Sequence, residues 1–156
     1  MMNIIEVQEL TPGQKEEIYS LWNEEYPEKL AYRSPEGFDE YLDGVHQKYH
    51  LLLLDAHQQI AGWFFLFERT GEDWFAMVIA ARVQGNGYGT RLLELAKATT
   101  SSLSGWVTDH NNDYKLNGDV YRSPVHFYVK NGFQLLPEER FESTKLSAVK
   151  MVWTSS

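Results

Sequence analysis

Three glycines alternate in the stretch Gln84-Gly85-Asn86-Gly87-Tyr88-Gly89-Thr90, and their spacing suits the binding of an anion. Glycines keep side chains out of a turn, so successive backbone N–H groups can converge on one point. Where such a turn opens a helix, the helix dipole adds partial positive charge at the same place. A diphosphate is a natural guest, although the same spacing also serves a plain strand-to-helix connection. Two better-known phosphate loops do not fit. A P-loop requires Gly-Lys-Ser/Thr after its spacer, and here the turn ends Gly89-Thr90-Arg91 with no such lysine. A dinucleotide fingerprint needs GxGxxG near the start of a long repeated βαβ fold, whereas this GxGxG lies in the middle of 156 residues.

To act as a cradle, the turn must hang between a strand and a helix. Met77, Val78 and Ile79 before it are apolar and partly β-branched, as a buried strand needs. From Thr90 the pattern is helical, with Leu92, Leu95, Ala96, Thr99 and Leu103 on one face and an expected end near residues 101–104. Around this unit the chain reads as further strands and helices. Residues 3–10 predict a first strand, and Thr11-Pro12-Gly13-Gln14 combines a cap, a proline at the first helical position and a capping box. Ser34-Pro35-Glu36 opens a second helix after a polar linker over residues 28–33. Residues 50–54 and 60–67 predict two strands of a hairpin, the second apolar on both faces and so central in its sheet. Residues 105–109 predict a fifth strand, and Ser123-Pro124 and Asn131-Gly132 bound another helix. Residues 133–136 then predict a strand, 137–143 a charged connection and 146–153 a last strand. With no internal repeat or linker, residues 1–156 read as one domain.

Composition narrows the function classes. There is no cysteine, which excludes disulfides, thiolate metal sites and a cysteine nucleophile. The formal net charge is −8, and no basic stripe is visible, so non-specific binding of nucleic acid is not expected. Negative charge favours a cationic substrate such as a polyamine or an aminoglycoside, though solubility is the plainer account. No apolar run is long enough to span a membrane, and the N-terminal stretch lacks the pattern of a secretion signal, so a cytoplasmic protein is expected. The polar loop over residues 110–122 carries Asn111, Asn112, Asp113, Asn117 and Asp119, but its spacing is not that of a calcium loop, and no metal is expected.

The segment from Gln84 to Gly89 resembles the Q/R-x-x-G-x-G/A signature of the GCN5-related N-acetyltransferases, the GNAT family, and Leu92 and Leu93 follow where that family also has leucines. A second stretch, YRSPVHFYVKNGF from Tyr121 to Phe133, resembles the family's second signature. Pro124 stands at its alanine position, Tyr128 at its tyrosine and Gly132-Phe133 at its closing pair, while Tyr121 replaces a frequent asparagine. The resemblance implies an α/β acyl-CoA N-acyltransferase fold, a mixed and mainly antiparallel sheet of about six to seven strands flanked by about four helices. Its sheet would splay between the fourth and fifth strands. It also implies acetyl-CoA as cosubstrate. The pyrophosphate would lie on Gln84, Gly85, Asn86, Gly87, Tyr88, Gly89 and Thr90, and the pantetheine arm along the backbone of Met77, Val78 and Ile79. Tyr121 and Tyr128 would stand beside it.

The implied reaction is direct transfer of an acetyl group to a primary amine of a small molecule or peptide. Such an amine is protonated at neutral pH, titrating near ~10.4 when unperturbed, so a base must take a proton. A backbone N–H on the fourth strand, with Ile79 the candidate, would stabilise the oxyanion. In the family a tyrosine protonates the departing thiolate, and Tyr128 matches it as general acid, being neutral at pH 7. For the base, Asp73 begins the fourth strand, where some family members place a glutamate, and Asp109 and His110 end the fifth. His110 has the more suitable intrinsic pKa, and a water relay with no single base is the other possibility. His126 reads as a surface or packing residue, and Trp63, Trp74 and Trp106 as core. The acceptor pocket is expected from residues 24–45, the third strand and the loop over 110–122. A homodimer is compatible with such folds. The rival reading is a non-catalytic module of the same fold that senses acyl-CoA.

Overall fold

The computed structural model describes residues 2–156. In chain order its elements are β1 (Asn3–Val7), α1 (Pro12–Glu25), α2 (Pro35–Asp43), β2 (His46–Leu54), β3 (Ile60–Arg69), β4 (Glu72–Ile79), α3 (Tyr88–Lys97), β5 (Ser102–Val107), α4 (Val125–Lys130), β6 (Gln134–Glu142) and β7 (Ser147–Thr154). Short 3-10 turns cover Glu28–Leu30 and Ala81–Val83. The strands form one seven-stranded sheet in the order β1-β2-β3-β4-β5-β7-β6. Every neighbouring pair is antiparallel except β4 and β5, which run parallel. The mixed, mainly antiparallel α/β fold is therefore as expected.

Local sequence explains how the helices start. At α1, Thr11 Oγ1 accepts from the Gln14 N–H at 3.1 Å and Gln14 Oε1 accepts from the Thr11 N–H at 2.9 Å, a complete capping box. Pro12 and Pro35 occupy the first turns of α1 and α2, where a missing N–H costs nothing.

Helices cover both faces of the central strands. On one face Trp63, Phe65 and Phe67 of β3 pack with Ile18 and Trp22 of α1 and Phe38 and Leu42 of α2. On the other, Phe64 and Leu66 join Leu92, Leu93 and Ala96 of α3 and Tyr128 of α4. Each large apolar side chain buried this way contributes about 1.5–3 kcal/mol, and β2, β3 and β4 each supply both clusters.

Several boundaries differ from the sequence reading. Helix α3 begins at Tyr88 and ends at Lys97, so Leu103 lies on β5 instead of the helix, and Leu95 is 46% exposed. Strand β2 starts at His46, four residues earlier than expected, and β1 stops at Val7. Strand β5 covers Ser102–Val107, leaving Asp109 just past its end. The charged stretch after Leu136 is strand, not connection: β6 runs to Glu142, with a register shift between Leu136 and Arg140. An irregularity at a sheet edge is where a strand tolerates proline, and Pro137 falls inside it.

Candidate functional site

Strands β4 and β5 are joined at one register position, Trp74 with Ser104, and diverge beyond it. The direction of the β4 backbone past that point follows from its pairing with β3. The Ala80 N–H donates to the Ala61 carbonyl at 2.8 Å. Antiparallel partners that exchange hydrogen bonds alternate along a strand, so Val78 and Ala76 also turn their backbone groups to β3. Phe75, Met77 and Ile79 turn theirs the other way, into the gap left by β5. Two of the carbonyls there are already taken. Tyr26 Oη donates to the Met77 oxygen at 2.7 Å, and Gln84 Nε2 donates to the Ile79 oxygen at 2.8 Å. The N–H groups of Met77 and Ile79 face the gap as donors. Val78 does not belong with them: its backbone serves β3 and its side chain is buried in the core.

The glycine turn follows directly. Gly85 and Gly87 have φ of +81° and +84°, a region other residues enter at a cost. A Cβ at either would meet nothing within 4 Å, so the space in front of the turn is open. Gly87 stands at the N-cap of α3, and no side chain caps the helix. The N–H groups of the first turn are thus left to an outside acceptor. Gly89 has another purpose. It is buried, and a Cβ there would lie 2.8 Å from Phe127 Cζ and 3.2 Å from Ile79 Cδ1. Its small size lets α4 close on α3 and β4, so the expectation that all three glycines clear an anion path is corrected for this one. Asn86 Nδ2 donates to the carbonyls of Val83 at 3.1 Å and Gln84 at 3.2 Å, bracing the turn from within. Tyr88 packs its ring toward the α1–α2 side of the core, and Thr90 is half-buried.

Three phenols gather near this gap. Tyr128 on α4 is 6% exposed and packs 5.8 Å from the ring of Phe75 on β4, with Phe127 and Phe133 at 5.0 and 5.4 Å. Burial, reinforced by nearby Tyr121, holds its hydroxyl well above the ordinary phenol pKa. Tyr121 is pushed up to about 12 by burial and by Asp113. The rings of Tyr26 and Tyr121 are 6.5 Å apart, and Tyr26 is likewise raised by burial and then by Tyr121 and Tyr128. All three are neutral hydrogen-bond donors across the physiological range.

The expected bases are placed less alike. Asp73 lies one residue before the closed end of the gap, where Lys48 Nζ contacts it at 2.8 Å and Thr100 Oγ1 donates to it at 2.6 Å. Burial works to raise its pKa, but those two hydrogen bonds outweigh this and hold it below the usual carboxylate range. Asp109 takes a two-pronged contact from Arg140 at 2.8 and 3.1 Å, which lowers its pKa. His110 is half-buried, and its Nδ1 accepts from the Asn112 N–H at 3.1 Å. His126 is exposed, Trp63 is fully buried, and the rings of Trp74 and Trp106 lie 5.4 Å apart.

One residue escapes the sequence reading. Glu25, near the end of α1, accepts from the Ala81 N–H at 2.8 Å and from Lys115 Nζ at 2.9 Å. It ties α1 both to the entrance of the glycine turn and to the loop over residues 110–122. Its partners lie 56 and 90 residues away, so no local pattern announces it. Among the described residues no group of three or more histidine, aspartate or glutamate side chains could hold a metal ion, and no helix is long and apolar enough to cross a membrane.

Comparison with known proteins agrees with this fold. The profile of the acetyltransferase (GNAT) domain matches residues 14–155. A spermidine N-acetyltransferase chimera from Vibrio cholerae and hSSAT superposes with a TM-score of 0.66 at 21% identity, covering 98% of this chain and 95% of that one. The ribosomal-protein-S18-alanine N-acetyltransferase of Escherichia coli gives 0.68 at 17% identity, covering 99% and 94%. A phosphinothricin acetyltransferase from Sinorhizobium meliloti, solved in complex with AcCoA, gives 0.66 at 11% identity, covering 98% and 88%. At these identities the likeness is one of fold. No curated protein is recognisably similar in sequence.

Proposed function

The chain belongs to the GNAT acetyltransferase family, and we propose that it transfers the acetyl group of acetyl-CoA to a primary amine of a small molecule or peptide. The observation that carries this reading is the run of open donors. The N–H groups of Met77 and Ile79 face the gap, and the chain passes from there into an uncapped, open glycine turn. Acetyl-CoA supplies the activated thioester. The N–H groups between Gly85 and Thr90 hold its diphosphate, and the Met77 N–H orients the pantetheine arm. The Ile79 N–H stabilises negative charge on the acyl oxygen. Tyr128, packed on Phe75 of the same strand, offers its hydroxyl to the departing sulfur. A phenol with so raised a pKa keeps its proton at every working pH and is a hydrogen-bond donor to that sulfur.

Asp73 and Asp109 serve the structure, since a carboxylate held low by a cation is a poor base. His110, or water in the gap, takes the proton of the amine. The test is release of free thiol from acetyl-CoA on addition of primary amines. Amine-dependent release supports the reading. Tight binding of acetyl-CoA with no release across the amine series favours the sensing module instead.

A further inference from the structure

A cavity of about 540 Å³ lies between the α1–α2 connection and the β6–β7 turn, lined by Glu28, Lys29, Ala31, Tyr32, Arg33 and Lys145. Its charge is opposite to that of the chain. Carboxylates outnumber Lys and Arg 22 to 14 overall, yet three cations and one carboxylate line this space. Arg33 and Lys145 form no ion pair among the described residues. Lys29 reaches only Asp113, at 3.8 Å. Fields beyond about 8 Å are screened at physiological salt, so the local sign governs what the cavity holds.

The wall carrying Arg33 is a rigid one. The Leu30 carbonyl accepts from Trp22 Nε1 at 2.9 Å, and the Tyr32 carbonyl accepts from Tyr19 Oη and Asn23 Nδ2, each at 3.0 Å. The Tyr32 N–H donates to Asn23 Oδ1 at 2.9 Å. A linker pinned this firmly has its backbone already ordered, which lowers that part of the cost of binding. It is joined to the transfer gap through Tyr26. Glu28 stands two residues after Tyr26, at most about 7 Å of extended chain, and Tyr26 is bonded to Met77 in the gap.

We infer that this cavity selects an acceptor amine that also carries an anionic group, a carboxylate or its equivalent, held by Arg33 and Lys145 while the amine points to the gap. The inference rests on the acetyltransferase reading and deepens it. It also reverses the preference for cations that the overall charge suggests. A polyamine would place a second cation against Arg33 and Lys145.

The probes are three amines of one length: 4-aminobutyrate, butylamine and 1,4-diaminobutane. Each is titrated into the wild-type protein, with and without saturating acetyl-CoA, and into Arg33→Glu/Lys145→Glu and Lys145→Gln. Both side chains are on the surface, so folded variants are expected and are checked by thermal melting. The expected result is binding of 4-aminobutyrate at least about tenfold tighter than either other amine, since one charge-assisted contact is worth about that much. The reversed double variant should lose that preference and favour the diamine, with Lys145→Gln between. Equal binding of the three, preference for the diamine in wild type, survival of the preference in the double variant, or no binding of 4-aminobutyrate would each overturn the inference. Acetyl-CoA affinity, measured alongside, reports on the transfer reading separately.

Discussion

The hydroxyl of Tyr26 lies 2.7 Å from the main-chain oxygen of Met77, 51 residues further along the chain. Tyr26 is the C-cap of α1, and Met77 is where β4 has already parted from β5. Splaying a sheet strips carbonyls of their strand partners, and a buried carbonyl without a partner is costly. Tyr26 supplies the missing donor and so holds the gap open in a defined shape. Replacing Tyr26 by Phe should lower stability by about 1 kcal/mol, the usual net worth of such a bond. Denaturant unfolding gives that figure. Turnover should fall as well, because the Met77 and Ile79 donors lose their brace, while affinity for acetyl-CoA changes less than turnover does. Unchanged turnover in a stable Tyr26→Phe protein would count against this role.

Tyr128 makes a different prediction. Its hydroxyl has no hydrogen-bond partner among the described residues and is absent from the buried unpaired groups, of which Trp74 Nε1 is the one found there. Removing it therefore leaves nothing orphaned. Tyr128→Phe should keep the melting temperature and the acetyl-CoA affinity and lose turnover by about 10²–10³, the range for removing one hydrogen-bond donor to developing charge. Because burial raises its pKa, wild-type activity should show no alkaline loss from this group up to pH 10.

Asp73 and Asp109 test the assignment of the base. Asp109→Asn and Asp73→Asn should each keep turnover within about threefold, whereas loss of a general base costs about 10² or more. Their effect belongs to stability. Both pKa values are depressed in the folded protein, so each carboxylate stabilises it above the ordinary carboxylate pKa. That contribution disappears as pH falls through the folded value. Acid titration of the two variants against wild type, followed by circular dichroism, measures it.

How much of this is legible in the sequence depends on whether the cause is local. Thr11 and Gln14 announce their capping box because both partners lie within one turn. Gly85 and Gly87 announce an open turn for the same reason, and Gly89 misleads because its reason is Phe127, a residue on another helix. Leu103 continues the helical spacing of Leu95 and Thr99 by accident, after the helix has already stopped at Lys97. The later part of β6 has no alternation because nearly all its residues are exposed at the sheet edge, and its charges make it look like a loop. Asp73, Asp109 and Glu25 all have partners brought in by the fold, 25 or more residues away in the chain, and the sequence is silent about those.

His50 links the core to pH. It is fully buried, stacked on Phe65 with ring centroids 4.6 Å apart. The Trp63 indole N–H, which can only donate, points at His50 Nδ1 at 2.9 Å, so the proton sits on Nε2 and is given to Gln47 Oε1 at 2.9 Å. Burial, aided by the charge of Lys15, lowers its pKa from 6.5 to about 4. The folded state thus favours the neutral ring. The stabilisation is complete above pH 6.5, declines as pH falls from there toward about 4, and changes no further below it. Its loss amounts to about 3 kcal/mol at most, from the shift at 1.36 kcal/mol per pH unit. Urea midpoints of wild type and His50→Gln between pH 7.5 and 4 should show a steeper fall in wild type. Parallel slopes would remove His50 as the cause.

The measurement closest to the central claim is calorimetric titration of the protein with acetyl-CoA, beside Gly87→Asn and Gly87→Glu. Gly87 is exposed with open space around it, so neither change meets a steric clash, and both place a side chain at φ +84°. Asparagine tolerates that conformation and adds no charge, whereas glutamate places a carboxylate where the diphosphate should bind. The account predicts binding by wild type, weakened but measurable binding by Gly87→Asn, and none by Gly87→Glu. Undiminished binding by a folded Gly87→Glu protein, or no binding by wild type, would contradict it.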